Sequence, residues 1–245
     1  MMMMMMMSLS NLLMKYADDT NLLVPCCTDV EIDQEFLNVQ DWAKRNKMTL
    51  NLTKTKEIIF RRPSARRSLV LPPLLPLVER VRSAKLLGVF ITDTLKFNEH
   101  VNYVLKQSCQ RLYLLKLLRA QGLPLHQLHT VCVAMLISRI TYAICAWGGF
   151  CAAADVNRIN SFLKRLVKYG YMSTVVDFQF YLNQADTRLF KSITRSNVHC
   201  LQTLLPALKP TAGRELRKRN HMYTLPAFRY ELFRKSFLLR CLYSS

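Results

Sequence analysis

The pattern of apolar residues changes near residue 98, and this change restricts the fold more than any other feature of the chain. Before that point, short apolar runs alternate with turn signals, which is typical of strands. Thr28 and Glu31 have the spacing of a capping box and predict the start of a helix that runs to residue 44. Short strands are predicted over residues 11–24 (two strands with a tight turn), 48–52, 57–60 and 86–91.

Beyond residue 98 the apolar residues recur every three to four positions, which is the period of an α-helix. The apolar run 131–154 has the length of a membrane span, but Arg139 lies inside it and two glycines interrupt it. We expect a buried core helix there and no membrane partner. The sequence thus predicts an α+β fold that mixes strands with a helix at first and is all-α afterwards. Helices are predicted over residues 98–122, 125–147 and 156–170.

The charge of the chain is strongly positive and unevenly distributed. Hydrophobic residues make up 51% of the 245 residues, which excludes wholesale disorder, and the formal net charge is +19. Residues 1–99 contain 14 Lys/Arg and 11 Asp/Glu, whereas residues 100–245 contain 21 and 5. This asymmetry indicates a polyanionic partner, most simply nucleic acid; the alternative is a solvated basic surface. Two basic clusters suit phosphate contacts, with the same alternative for each: Arg61, Arg62, Arg66 and Arg67, and Arg214, Arg217, Lys218 and Arg219.

The cysteines and histidines do not form a recognisable metal pattern. The eight cysteines include no C-x-x-C pair, and the five histidines lack ligand spacing. We therefore predict free, mostly buried thiols in a reducing compartment, and no zinc site. The run Met1–Met7 is low-complexity sequence and gives no information on the fold.

The stretch MKYADDTNLLV, residues 14–24, places two carboxylates side by side at the predicted turn. Adjacent like charges repel each other, so the folded turn requires something that offsets the repulsion. Two arrangements do so. Water solvates both carboxylates in an ordinary surface turn, or a bound cation lies between them.

Four segments, taken in order, resemble the C-terminal part of a reverse transcriptase of the non-LTR (LINE-like) retrotransposon group. The likeness covers most of the chain. After the low-complexity methionine run (1–7), it implies a partial palm (8–97), thumb-like helices (98–150) and a basic helical C-terminal region (151–245). The segments are YADDT (16–20), WAKRNKMTLNLTKTKEIIF (42–60, with the N-x-x-K-T signature at 51–55), KLLGVFITDTLKFNEHV (85–101) and RNHMYTLPAFRYELFRKSF (219–237).

The resemblance implies roles for individual residues. In this family the hairpin turn presents carboxylates to two Mg²⁺ ions, so Asp18 is expected to ligate metal directly and Asp19 to support it. Lys54 resembles the general acid proposed for pyrophosphate, with Lys56 as a rival. Tyr16 resembles the aromatic residue beside the primer terminus, or packs on the palm. The primer and template contacts implied in addition are Gly88, Arg214, Arg217, Lys218 and Arg219.

The function implied is RNA-directed DNA polymerisation on an RNA template with a DNA primer, inside a cell, in the nucleus or the cytoplasm. The family carries a further catalytic aspartate and the nucleotide-binding fingers upstream of its hairpin, and fifteen residues precede Tyr16 here. We therefore expect the chain to be inactive by itself. The alternatives are a non-catalytic fragment that binds nucleic acid and a non-functional transposon relic.

Overall fold

The structure is a computed structural model, and it describes residues 11–62, 71–209 and 221–243. The chain divides into two compact units, the first made of residues 1–59 and 64–82, the second of residues 60–63 and 83–245. The first combines short strands with one helix, and the second combines one strand pair with helices. The predicted α+β class is therefore confirmed.

The first unit begins with the predicted hairpin. Strand β1 (Leu12–Tyr16) pairs antiparallel with β2 (Asp19–Leu23), and Tyr16 lies opposite Asp19 in the register. Only Ala17 and Asp18 remain for the turn. Ala17 has a positive φ of 52°, as the primed turns that join tightly paired strands require at their first central position.

Helix α1 (Ile32–Arg45) begins later than predicted, because Thr28 does not cap it. The Thr28 hydroxyl instead donates to Oδ1 of Asn11, 2.7 Å away, which ties the segment before the helix to the start of β1. Apolar residues at positions 32, 36, 39 and 43 form one face of α1, and this face is only partly buried: Ala43 is enclosed, whereas Phe36 is half-buried. Asp33 and Glu35 in the first turn and two basic residues in the last turn complement the helix dipole.

The remaining strands of the first unit are shorter than predicted. Strand β3 (Lys56–Glu57) pairs in parallel with β4 (Glu79–Arg80), and the Arg80 guanidinium donates to both carboxylate oxygens of Glu57, at 2.7 and 3.1 Å. The alternating segment 48–52 does not form a strand. Its alternation has no pairing partner in the described part of the chain, and a turn follows at residues 52–54.

The second unit opens with a second hairpin. Strand β5 (Ser83–Leu86) pairs antiparallel with β6 (Val89–Thr92), so the single strand predicted over residues 86–91 is wrong. Leu87 and Gly88 form its two-residue turn with φ values of 44° and 88°, a pair of positive values typical of a type I′ turn.

Helices α2 (Asn98–Ala120), α6 (Ala153–Lys168) and α7 (Phe178–Arg195) form most of the second unit, with bounds close to those predicted for the first two. Gly122 and Gly170 follow α2 and α6 with positive φ values of 87° and 73°, where a residue without Cβ ends a helix at the least cost. The fully buried core side chains include Val101, Leu115, Leu128, Leu136, Ile140, Trp147, Ile159, Phe162, Leu166 and Phe178.

The segment predicted as one helix over residues 125–147 is interrupted. It consists of α3 (Leu125–Cys132), a π-helical turn, α4 (Ser138–Thr141), a break at Tyr142-Ala143, and α5 (Ile144–Trp147). Ala143 has a φ of 49°, and the indole N–H of Trp147 donates to the Tyr142 carbonyl at 2.9 Å, which fixes the break.

The same segment is apolar enough to raise the question of a membrane. Among the described residues, Leu125–Phe150 is the one stretch that length and a mean hydropathy of 1.6 would allow to cross a bilayer. Core helices of globular proteins meet the same criterion, and this stretch contributes Leu128, Leu136, Ile140 and Trp147 to the core. The absence of a membrane partner stays a prediction.

Short helices α8 (Glu231–Arg234) and α9 (Phe237–Tyr243) end the described chain. Arg240 of α9 forms a two-point ion pair with Asp186 of α7, with both N–O distances at 3.0 Å, and a third N–H donates to the Cys145 carbonyl at 3.1 Å. Both charged side chains are largely buried. This ion pair therefore holds the C-terminal helix onto α7.

All eight cysteines are free thiols, as predicted, but only half of them are sheltered. Burial raises the pKa of Cys132 to about 11 and that of Cys145 and Cys241 to about 12, so these thiols are protonated near neutral pH. The expectation of mostly buried thiols is wrong for the others, because Cys26, Cys27, Cys109 and Cys200 are exposed.

Candidate functional site

The tip of the first hairpin has one anchored face and one open face. Side chains alternate along a strand, and the Lys15 ammonium lies over the Trp42 ring of α1, 5.9 Å from its centre. Tyr16 and its register partner Asp19 therefore point to the opposite face. That face is open: Tyr16 is 65% exposed, and Asp18 and Asp19 are exposed as well.

The tight turn places one carboxylate in the turn itself and the next one at the first ladder position of β2. Asp18 occupies the second turn position, and Asp19 is the first residue of β2. A left-handed conformation at a residue such as Ala17 costs about 1–2 kcal/mol, so the strand pairing must offset this strain. The result is an exposed tip that carries two carboxylates, and carboxylate oxygens are the hard ligands that Mg²⁺ prefers. Within the described residues, no cluster of three or more His, Cys, Asp or Glu side chains could hold a metal ion.

A buried polar network anchors the base of the hairpin to α1. The Asn11 amide donates to Oε1 of Glu35 at 2.8 Å and to the Val30 carbonyl at 3.2 Å, and Glu35 is fully buried. A carboxylate in the interior is stable only when its oxygens are hydrogen-bonded, so this network constrains the direction of β1. Sequence reasoning missed it, because a glutamate in a first helical turn reads as a favourable helix-dipole residue.

Lys54 lies in a turn that Asn51 organises. The Asn51 side-chain oxygen accepts from the Thr53 hydroxyl at 2.7 Å and from the Lys54 N–H at 3.2 Å, and its carbonyl accepts from the Thr55 N–H and hydroxyl. The asparagine and threonine of the N-x-x-K-T pattern therefore have structural roles. Lys54 itself is exposed and available to a ligand, whereas its rival Lys56 forms an ion pair with Glu79.

Gly88 belongs to the second unit, and its conformation there has a local explanation. Besides its positive φ, an added Cβ would lie 3.2 Å from a ring carbon of Tyr142. The Tyr142 hydroxyl donates to the Leu87 carbonyl at 2.9 Å, which fixes this tyrosine against the turn. A primer that contacts Gly88 would therefore also contact Tyr142, which is half exposed.

A cluster of cations surrounds Tyr103 in the second unit, and no pattern in the sequence predicts it. The Lys85 ammonium donates to the Tyr103 hydroxyl at 3.4 Å and lies 4.7 Å from the ring centre, and the Arg139 guanidinium lies 5.7 Å from that centre. The hydrogen bond from Lys85 and the positive charges of Lys85, Arg139 and Arg111 lower the pKa of Tyr103. The cluster is an anion-attracting surface assembled from β5, α2 and α4.

The basic clusters identified in the sequence are only partly described. Arg61 forms an ion pair with Asp93 at 2.9 Å, and Arg62 stacks on the Tyr230 ring with 4.1 Å between the guanidinium carbon and the ring centre. The other predicted phosphate contacts lie outside the described residues: Arg66, Arg67, Arg214, Arg217, Lys218 and Arg219. Arg61 is therefore already neutralised within the chain.

Comparison with protein-family models, with curated proteins and with solved structures finds no match for this chain. Its chemistry must therefore be inferred from the arrangement of its own residues.

Proposed function

We propose that the chain is part of a reverse transcriptase of the non-LTR retrotransposon group, and that its first hairpin carries carboxylates of the polymerase site. One observation supports this most directly. The tight turn places the exposed Asp18 next to Asp19, and Asp19 lies opposite Tyr16 on an open face. Lys15, on the other face, contacts the Trp42 ring of α1. A solvated surface turn does not need this contact with α1, whereas a ligand-binding turn benefits from support by a neighbouring element.

Each residue then has a task that its position permits. Asp18 and Asp19 would hold Mg²⁺ through their carboxylate oxygens. The bound metal would neutralise phosphate charge and lower the pKa of the primer 3′-hydroxyl. Tyr16 would support the primer terminus, and the exposed ammonium of Lys54 would donate a proton to the leaving pyrophosphate. In this proposal the first unit supplies palm elements, the helices of the second unit are the thumb, and the substrates are an RNA template and a DNA primer.

Primer extension by a fusion protein tests the proposal. The fingers and first palm strand of a related reverse transcriptase are joined to residues 1–245, and incorporation is measured on an RNA template with a DNA primer. We expect activity, and we expect Asp18→Asn to lower it by roughly 10²- to 10³-fold, the range seen when a group that stabilises a transition state electrostatically is removed. Asp41→Asn, which removes an exposed carboxylate from α1, is the matched control and should retain activity. Equal activity of the two variants would reject the proposal.

A second candidate is a fragment that binds nucleic acid without catalysis. The charge of residues 100–245 and the Lys85–Tyr103–Arg139 cluster favour it, because both attract phosphates without requiring the hairpin. The fusion experiment separates the two. A protein that binds primer-template but gives no extension, with no effect of Asp18→Asn on binding, is the result that this second candidate predicts.

A further inference from the structure

Helices α2 and α6 pack against each other in the second unit and leave an open groove between them. The groove has a volume of about 640 Å³. Its lining contains three cations and no acidic side chain, and Leu105 and Cys109 supply an apolar part. The polar and basic lining residues are Asn102, Lys106, Asn157, Arg158, Ser161 and Arg165. Side-chain amides, hydroxyls and cations are the groups that proteins use to hold phosphate oxygens.

A second groove, of about 310 Å³, continues along the same two helices toward their C-terminal ends. Lys116 lies 5.1 Å from the ring centre of Tyr169, and the Arg119 guanidinium lies 5.6 Å from that of Tyr171. Arg119 also donates to the Tyr169 carbonyl, so this basic and aromatic lining is held in place by the chain that follows α6.

One face of α2 connects the two grooves. Lys106, Cys109, Tyr113 and Lys116 follow one another at i, i+3, i+7 and i+10, which is a single stripe on a helix. Tyr113, between the two lysines, is 62% exposed. Lys116 lies ten positions after Lys106, which is about 15 Å along the helix at 1.5 Å per residue, so the stripe is long enough for about four phosphates at 3.4 Å spacing.

Most cations of the two grooves form no ion pair within the part of the chain that the structure describes. Among the ion pairs that the described residues form, only Arg158 of these cations takes part, with Asp155 at 3.1 Å. Lys106, Lys116 and Arg165 are exposed and take part in none of these ion pairs. Exposed cations in a concave surface focus the field and attract an extended anion.

We propose that the two grooves form one track for the phosphate backbone of a polynucleotide, with Tyr113 as a stacking platform for a base. The length of the track favours a polymer over a free phosphate. Its concave shape favours a strand over a flat membrane surface. The inference rests on the nucleic-acid-binding part of the proposed function, but it assigns that binding to α2 and α6 and is independent of the hairpin.

Binding of the 245-residue chain to a labelled single-stranded RNA and to a duplex, measured by fluorescence anisotropy from 50 to 300 mM salt, tests this assignment. The variant Lys106→Gln/Arg158→Gln/Arg165→Gln removes three positive charges from the track. We expect weaker binding and a slope of log affinity against log salt that is shallower by about 2 on the single strand and about 2.7 on the duplex. The matched control Arg188→Gln/Lys191→Gln/Arg195→Gln removes three exposed charges from α7 and should leave the slope nearly unchanged.

Tyr113→Ala separates stacking from charge. Loss of one stacked base weakens single-strand binding by roughly 5- to 150-fold and should leave duplex binding unchanged, since paired bases do not reach the ring. Lys106→Gln alone serves if the triple variant fails to fold, and it should make the slope shallower by about a third as much.

Three results would overturn the proposal. The groove and α7 variants could lose affinity equally, the chain could fail to bind RNA at 50 mM salt, or vesicles of phosphatidylserine could bind at the groove more tightly than RNA. Failure here differs from failure of the polymerase proposal. In the fusion enzyme the groove variant should need more primer-template and keep its maximal rate, whereas Asp18→Asn lowers the rate at every primer-template concentration.

Discussion

Lowering the pH from 7 to 5 should destabilise the second unit, because His100 is neutral in the folded protein. The His100 side chain is 2% exposed, its Nδ1 accepts from the Phe90 N–H at 3.4 Å, and its ring meets the Trp147 ring edge-on at 4.8 Å. Burial, and then the positive charges of Arg139 and Lys85, lower the pKa of His100 from 6.5 to about 4.

The direction of the pH effect depends on which state of the chain, folded or unfolded, binds a proton more tightly at His100. Between pH 4 and 6.5 the unfolded chain binds a proton at His100 and the folded chain does not, so falling pH favours unfolding. The contribution of neutral His100 to the free energy of unfolding is complete above pH 6.5, declines as the pH falls, and is lost near pH 4. At 1.36 kcal/mol per pKa unit, the free energy of unfolding should fall by about 2 kcal/mol between pH 7 and pH 5.

Urea unfolding at pH 7, 6 and 5 measures this loss. In a Trp42→Phe background, Trp147 is the single tryptophan and reports on the second unit. His100→Phe keeps an aromatic ring at this position and cannot titrate. The difference between this variant and the parent protein therefore removes the contribution of carboxylates that titrate in the same pH range. His126→Gln, on the surface, should behave like the parent. The reasoning fails if the parent and His100→Phe lose the same free energy of unfolding between pH 7 and pH 5.

Three further predictions concern contacts and strain within each unit. Arg240→Met should lower the free energy of unfolding of the second unit by about 3–5 kcal/mol in urea, because it leaves the largely buried Asp186 carboxylate unpaired. Ala17→Gly should slow amide exchange in β1 and β2 by relieving about 1 kcal/mol of strain, and faster exchange would contradict the positive φ. Glu35→Ala should expose the Asn11 amide and speed exchange throughout the hairpin, whereas an effect confined to α1 would show that the network does not anchor β1.

The sequence predicted well those elements whose signals are local. The first hairpin follows from two short apolar runs on either side of a turn, and the ends of α2 and α6 follow from Gly122 and Gly170. The sequence predicts one strand over residues 86–91 and not the hairpin at residues 83–92, because the turn begins with Leu87, a residue with no turn preference. Tertiary contacts decided the rest.

Two errors show how tertiary contacts override local signals. Thr28 has the spacing of a helix cap, but its hydroxyl is satisfied by Asn11, a partner seventeen positions away. Ala143 is a good helix former, yet it adopts a left-handed conformation where the indole of Trp147 binds the Tyr142 carbonyl. The grooves between α2 and α6 could not be predicted either, because the spacing of apolar residues in a helix does not indicate which other helix it contacts.

In the proposed polymerase site a cation, and not water alone, offsets the repulsion between Asp18 and Asp19. Titration of Mn²⁺ into the isotopically labelled 245-residue chain tests it, because the paramagnetic ion broadens amide signals near its binding site even when binding is weak. We predict that the signals of Ala17 to Thr20 broaden first, and that Asp18→Asn/Asp19→Asn abolishes this broadening without affecting the signal of Asp41 on α1. Broadening that is no stronger at the hairpin than at Asp41, or that persists in the double variant, would contradict the claim.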